Sequence, residues 1–235
     1  GRLKKSQSAS IKFLKISKMI KKQPAKKLPL NLILLGDPGA GKATQAAYIA
    51  KKYKMYDFDM GRELTLLRQK NKAADAVMKV NNDKGLLTPT KIAREIERKG
   101  VRDTPKSRGM LLDGQPKMLG EAKLVSKYLK ETKRKNPLVL YLRIPAAEVV
   151  DRVQKRQGYY NTKFTKRADD TAAGLRNRAK YYRKNIAEVV EFFKSTYTFA
   201  NIDGVGTRAQ VRARIQKAID FYLKNYDEIY KDGKA

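Results

Sequence analysis

The sequence predicts an α/β domain of three layers, a central parallel sheet flanked by helices, and three observations lead there. Four short apolar runs, Leu30 to Leu35, Met110 to Leu112, Leu138 to Ile144 and Phe199 to Ile202, are bounded by turn residues, as strands buried on both faces are. Longer segments with apolar residues every three or four positions follow them, the spacing of one helical face. The first run ends in a glycine-rich turn, "GDPGAGK" at residues 36–42, placed where a strand hands over to a helix.

Taken in order, residues 1–29 form a basic extension closed by Pro24 and Pro29. Wound as a helix it would set Phe13, Ile16, Met19 and Ile20 opposite Lys15, Lys18 and Lys22, although Ile11, Lys12 and Leu14 break the pattern. A solvated disordered tail, the remnant of a transit peptide, a membrane-surface helix and a nucleic-acid arm all suit that composition. Residues 30–235 form the domain. Its most regular helix runs from Asp169 to Lys194, with Leu175, Ala179, Tyr182, Ile186, Val189 and Phe193 at steps of three and four. A last helix spans about Arg208 to Tyr230. It carries Tyr222, Tyr226 and Tyr230 at four-residue spacing, which reads first as packing and second as base stacking.

Composition narrows the chemistry. The chain has 54 Lys and Arg against 23 Asp and Glu, a net charge of +31, which calls for polyanionic partners. The surplus is not confined to the extension, because the 205 residues after the first 30 still hold 44 basic against 23 acidic side chains. Without Cys or His there are no disulfides, no thiolate or imidazole metal ligands and no imidazole base. No apolar run approaches the ~18 residues of a membrane span, so a soluble or peripheral protein is expected. The chain opens on Gly1, which suits a cleaved presequence, a residue left by expression or an incompletely known start, the first being the expectation. That would place it in a mitochondrial or other organellar matrix, with the cytoplasm as the alternative.

In the glycine-rich turn, Gly36, Gly39 and Gly41 let the backbone curl with its N–H groups inward, and the following helix points its positive end at the same spot. Lys42 adds a mobile cation. Ala43 separates this lysine from Thr44, so the loop resembles the adenylate kinase form GxPGxGKGTQ, with Ala43 in place of a family glycine. Further motifs in the same order extend the resemblance over about Leu30 to Leu223. "LLDGQPK" at 111–117 resembles FDGFPR. "LVLYLRIPAAEVVDRVQKR" at 138–156 resembles the next strand and helix, and "RADD" at 167–170 the start of the long helix.

The adenylate kinase family folds as a P-loop domain with two small inserts. The resemblance implies a nucleoside-monophosphate (NMP) insert at about 57–105, with "DKGLLTP" at 83–89 as its hinge, and a short lid at about 156–167. The lid has no Cys or His for a structural zinc. By the same resemblance Gly36, Gly39, Ala40, Gly41, Lys42, Ala43 and Thr44 would hold ATP phosphates. Lys42, Arg152, Arg156, Arg167 and Arg178 would serve the transferring phosphoryl, and Thr44 and Asp113 would stand near Mg²⁺, largely through water. The attacking group is an already anionic phosphate oxygen, so a histidine-free chain lacks nothing the chemistry needs.

The acceptor half departs from the family. In "DMGRELT" at 59–65, read against STGDxLR, Gly61 is kept but Thr65 takes the arginine position. Gln115 replaces a phenylalanine and Lys117 the second phosphate-gripping arginine, which keeps charge but loses the two-pronged fork. Glu121 replaces the glutamine that reads adenine and offers only acceptors. These changes predict ATP binding with weakened AMP binding. Together with the charge they predict a basic, RNA-associated subunit of a ribonucleoprotein assembly such as a mitochondrial ribosome. The alternative is an active kinase that phosphorylates AMP from ATP and carries a basic targeting extension.

Overall fold

The computed structural model describes residues 30–83, 90–154 and 172–230. Five strands and eight helices follow one another there: β1 (Asn31–Gly36), α1 (Lys42–Tyr53), β2 (Tyr56–Asp59), α2 (Met60–Lys70), α3 (Lys72–Asp83), α4 (Thr90–Asp103), β3 (Met110–Asp113), α5 (Leu119–Glu131), β4 (Leu138–Arg143), α6 (Ala146–Gln154), α7 (Ala172–Thr196), β5 (Thr198–Asp203) and α8 (Arg208–Ile229). The extension 1–29 and the lid at 156–167, with Arg156 and Arg167, lie outside the described residues, as do 84–89 of the hinge.

All strands pair in parallel in the order β2-β3-β1-β4-β5. β1, at the centre, is buried along its whole length. Its side chains alternate between two cores because successive residues of a strand face opposite ways. Leu32 and Leu34 join Ile49 of α1, Val149 of α6 and Ile215 and Ile219 of α8. Ile33 meets Val125 and Leu129 of α5 and Val189 and Phe193 of α7 on the other face. The expected α/β architecture is the one observed.

Helix boundaries follow local chemistry. Gly41 starts α1 from a left-handed backbone with φ 85°, which glycine adopts without steric cost. Asp59 caps α2, its carboxylate accepting the Gly61 N–H at 2.8 Å and the Arg62 N–H at 3.3 Å. Thr207 and Gln210 open α8 with a reciprocal pair of side-chain to backbone bonds at 3.2 and 2.9 Å.

Two features differ from what the sequence suggests. β2 has no apolar run: in "YDFD" only Phe58 is fully buried, so its pairing with β3 carries the strand and hydrophobicity does not announce it. The tyrosine column of α8 is packing, and the base-stacking alternative is corrected for Tyr226 and Tyr230. Their rings form a chain, Tyr222 to Tyr226 at 5.4 Å and Tyr226 to Tyr230 at 4.9 Å. The hydroxyls of Tyr226 and Tyr230 accept the backbone N–H groups of Asn136 and Thr198, and that of Tyr222 donates to the Asn136 carbonyl, tying α8 to the starts of β4 and β5.

Gly100 of α4 lies against the buried Phe58 ring, so an added Cβ would overlap it. Gly100→Ala is expected to destabilise the protein by about 1–3 kcal/mol despite alanine's better helix propensity. A thermal melt checks this. A Tm equal to or above the parent's would contradict the close contact.

Candidate functional site

The glycine-rich loop joins β1 to α1 and lies tight against the sheet. A Cβ on Gly36 would sit 2.7 Å from the Leu142 carbonyl oxygen of β4, so only glycine allows the loop to leave the strand here. Gly39 has φ 77° and Gly41 φ 85°, left-handed geometry that turns the backbone back toward α1. Ala40 is buried, and its N–H bonds the Asp37 carbonyl at 3.1 Å. Lys42 curls over the loop, its ammonium donating to the carbonyls of Gly36 at 2.7 Å and Asp37 at 3.0 Å. An anion in the loop would thus meet an ammonium already held in place. Ala43 and Thr44 lie in the first turn of α1. The buried Gln45 fastens that helix to the start of α8 through the Arg208 carbonyl at 3.1 Å.

Beside the loop, the ends of β2 and β3 bring carboxylates together. Asp113 is buried, with Oδ1 lacking a hydrogen-bond partner. Burial pushes its pKa up to about 7; the Lys42 and Lys117 cations oppose the shift, and Asp59 and Asp57 add to it. Burial also raises Asp57, against the pull of Arg62. Such a set of acids and cations suits a hard cation carried by phosphate, since the acids attract it while the lysines hold the phosphate.

These parts open onto one cleft of about 630 Å³. The loop from Gly39 to Thr44 forms one wall, Asp59 to Gly61 with Asp113 and Lys117 a second, and Arg152 with Gly204 and Gly206 a third. Arg152 is set by Glu148 at 2.6 Å and by the Gly204 carbonyl at 2.9 Å. Arg178 lies on α7, its side chain outside the described set.

Three expected acceptor residues do not line this cleft. Thr65 is exposed on α2 and donates to the Gly61 carbonyl at 2.8 Å. Gln115 is buried, with its Oε1 unpartnered. Glu121 is buried at the start of α5, where one oxygen accepts the Lys117 N–H at 2.9 Å and the Met118 N–H at 3.2 Å. Its place three residues into a helix, after a proline turn, signals such a capping role in the sequence itself. Behind it stands Glu97 of α4, fully buried with both oxygens unpartnered. Burial raises it well above the usual carboxylate range, and Glu121 reinforces the shift.

Sequence reasoning missed Asp59, whose capping role shapes the cleft wall, and Arg183, which holds Asp37. An acid directly inside a phosphate loop was the available signal for the second.

Comparison with known proteins agrees with this geometry. A family model for adenylate kinase matches residues 34–198. The chain is 30% identical over 188 residues to the adenylate kinase of Leptospira biflexa, covering 80% of this chain and 98% of the relative. It is 28% identical over 191 residues to that of a Nocardioides species, covering 81% and 97%. To the Archaeoglobus fulgidus adenylate kinase it is 26% identical over 214 residues, covering 80% and 99%. The family-model match spans the phosphate loop and strands β2, β3 and β4 in full, and this protein belongs to the adenylate kinase family.

Proposed function

We propose that this chain is a working nucleoside-monophosphate kinase that transfers the terminal phosphoryl of ATP to AMP. The observation that carries this reading is the single cleft. The donor loop with Lys42 and Thr44 and the acceptor-side residues Gly61 and Lys117 line the same cavity, with Arg152 beside them. The relatives named adenylate kinase are matched over nearly their whole length, which supports the same reading. The RNA-associated reading rests on charge, on the extension and on the altered acceptor residues, the organellar one on the start of the chain, and the comparisons add nothing to either.

In this reaction an acceptor phosphate oxygen forms a bond to the γ-phosphorus while the bond from that phosphorus to the β-bridging oxygen breaks, giving two ADP. No proton has to be removed from the nucleophile. The protein's tasks are to align two polyanions and offset their charge. Lys42 and the loop amides grip the donor, Lys117 approaches from the acceptor side, and Arg152 flanks the transfer point. The residues also fit a divalent cation: Asp113 has an unpartnered oxygen, and the Thr44 hydroxyl shares its cleft. Among the described residues no three acidic or imidazole groups form a protein-only cage. Mg²⁺ here would therefore take most of its ligands from phosphate and water, and when bound it supplies charge neutralisation at the transferring group.

A coupled assay of ADP formation from ATP and AMP tests the proposal. Turnover of about 1–100 s⁻¹ is expected, and Lys42→Met should lower kcat by about 10²–10³-fold. Activity no greater than that of the Lys42→Met protein would refute it.

Thr65 lies off the cleft but one helical turn after Gly61, which lines it, so Thr65→Arg, with its longer cationic side chain, is expected to lower the AMP KM by about tenfold or more with little change in the ATP KM. An unchanged AMP KM would show that α2 does not face the acceptor.

The raised Asp113 pKa sets a pH dependence. The native carboxyl binds its proton more tightly than the unfolded chain does, so its contribution to stability falls as pH rises from about 4 to about 7. A cation competes with that proton. The Tm gain from Mg²⁺ with ATP should be larger near pH ~8 than near pH ~5.5, and Asp113→Asn should narrow the difference. Equal gains in the parent protein would contradict the assignment of Asp113 to the cation.

A further inference from the structure

The phosphate loop contains a carboxylate, which is the wrong sign for a site that binds a triphosphate. Asp37 follows Gly36 directly, and its side chain is fully buried. All of its bonding capacity is taken up. Oδ2 accepts the Ile144 N–H at 3.0 Å and Nη2 of Arg183 at 3.0 Å, while Oδ1 accepts Nε of Arg183 at 3.2 Å and the Tyr141 hydroxyl at 3.4 Å. The guanidinium grips the carboxylate with two prongs and donates once more to the Ile144 carbonyl at 2.7 Å. One residue earlier on α7, the buried Tyr182 takes the Gly36 N–H on its hydroxyl at 3.3 Å. Consecutive residues of α7 thus hold consecutive residues of the loop.

We infer that Asp37 and Arg183 form a positioning pair that locks the donor loop to α7 and sets ATP affinity by cancelling the charge beneath the bound phosphates. The inference rests on the kinase reading above and adds to it a residue that touches no substrate. Two consequences follow from the geometry. First, α7 bears Arg178, so the latch makes the loop and that arginine-bearing helix one body. Second, the pair's worth to the donor is electrostatic. With both members present the ground beneath the loop is neutral. With Arg183 removed, an uncompensated buried carboxylate lies behind the loop that holds the triphosphate. With both removed, it is neutral again. Arg183 is partly exposed and emerges from α7 toward the end of β4, so its replacement leaves both hydrophobic cores untouched.

The test measures Mg·ATP binding at equilibrium, the ATP and AMP KM values and Tm for the parent, Arg183→Met, Arg183→Lys and the double variant Asp37→Ala with Arg183→Met. Arg183→Met should weaken ATP binding at least tenfold with the AMP KM unchanged. Arg183→Lys, which keeps the charge and loses the fork, should fall between. The double variant should return to within about threefold of the parent even where its Tm stays low. ATP affinity of Arg183→Met within threefold of the parent, or a double variant as weak as that single one, would overturn the inference, since a purely structural pair lowers Tm without this charge-dependent rescue. A lack of ATP binding and turnover in the parent would instead overturn the kinase reading. Should Arg183→Met fail to fold, the comparison of Arg183→Lys with the double variant decides the matter in the same way.

Discussion

Every functional group in the cleft depends on the register of one parallel sheet. Leu34 and Asp59 both stand opposite Asp113, Gly36 stands opposite Leu142, and Arg143 opposite Asp203, so the strands end at nearly one level. In a parallel sheet all the following turns then leave from the same edge, and what they carry converges there. The loop after β1, the cap after β2, Asp113 and the turn after β5 meet around one cavity for that reason. The side-chain period of a strand is two, so a slip of one residue in β3 would turn Asp113 away from the cleft and exchange the two cores.

Charge within that edge is interleaved, not uniformly positive. Asp113 lies between the fields of Lys42 and Lys117, Asp37 is closed by Arg183, and Arg152 is held by Glu148. Each pairing fixes a cation that would otherwise be a loose, strongly hydrated side chain. Electrostatic catalysis needs charges that are already in place when the transferring group arrives. The +31 charge of the whole chain is a different matter: an exterior property that bears on solubility and on attraction of anions, and it identifies no site.

β1, β3, β4 and the phosphate loop were legible because burial on both faces leaves an unbroken hydrophobic run and because tight loop geometry demands glycine; β5 is an edge strand with only Ile202 fully buried, and the short run from Phe199 to Ile202 gave it away without that burial. Gly36 and Gly41 sit where those demands are strictest. β2 was not legible, since Asp57 and Asp59 interrupt its four residues and leave no apolar run. Among site residues, the resemblance to the adenylate kinase motifs led to Lys42, Thr44, Asp113, Lys117 and Arg152, all found in the cleft. It placed Glu121 at the family's adenine-reading glutamine and saw there only a lost amide donor, because comparing side chains at one position does not show that this carboxylate turns back to accept the Lys117 and Met118 N–H groups. Arg183 escaped because its partner lies 146 residues away, and nothing local marks one arginine of a basic helix as the one that turns inward.

The central claim is that donor and acceptor halves form one continuous binding surface. The most direct measurement is the affinity of a ligand that joins two adenosines through five phosphates, compared with that of ATP under the same conditions. A molecule spanning both halves gains the second set of contacts without a second association cost, so binding at least about tenfold tighter than ATP is the result this account predicts. Affinity no greater than that of ATP would contradict it, leaving a chain with one nucleotide site.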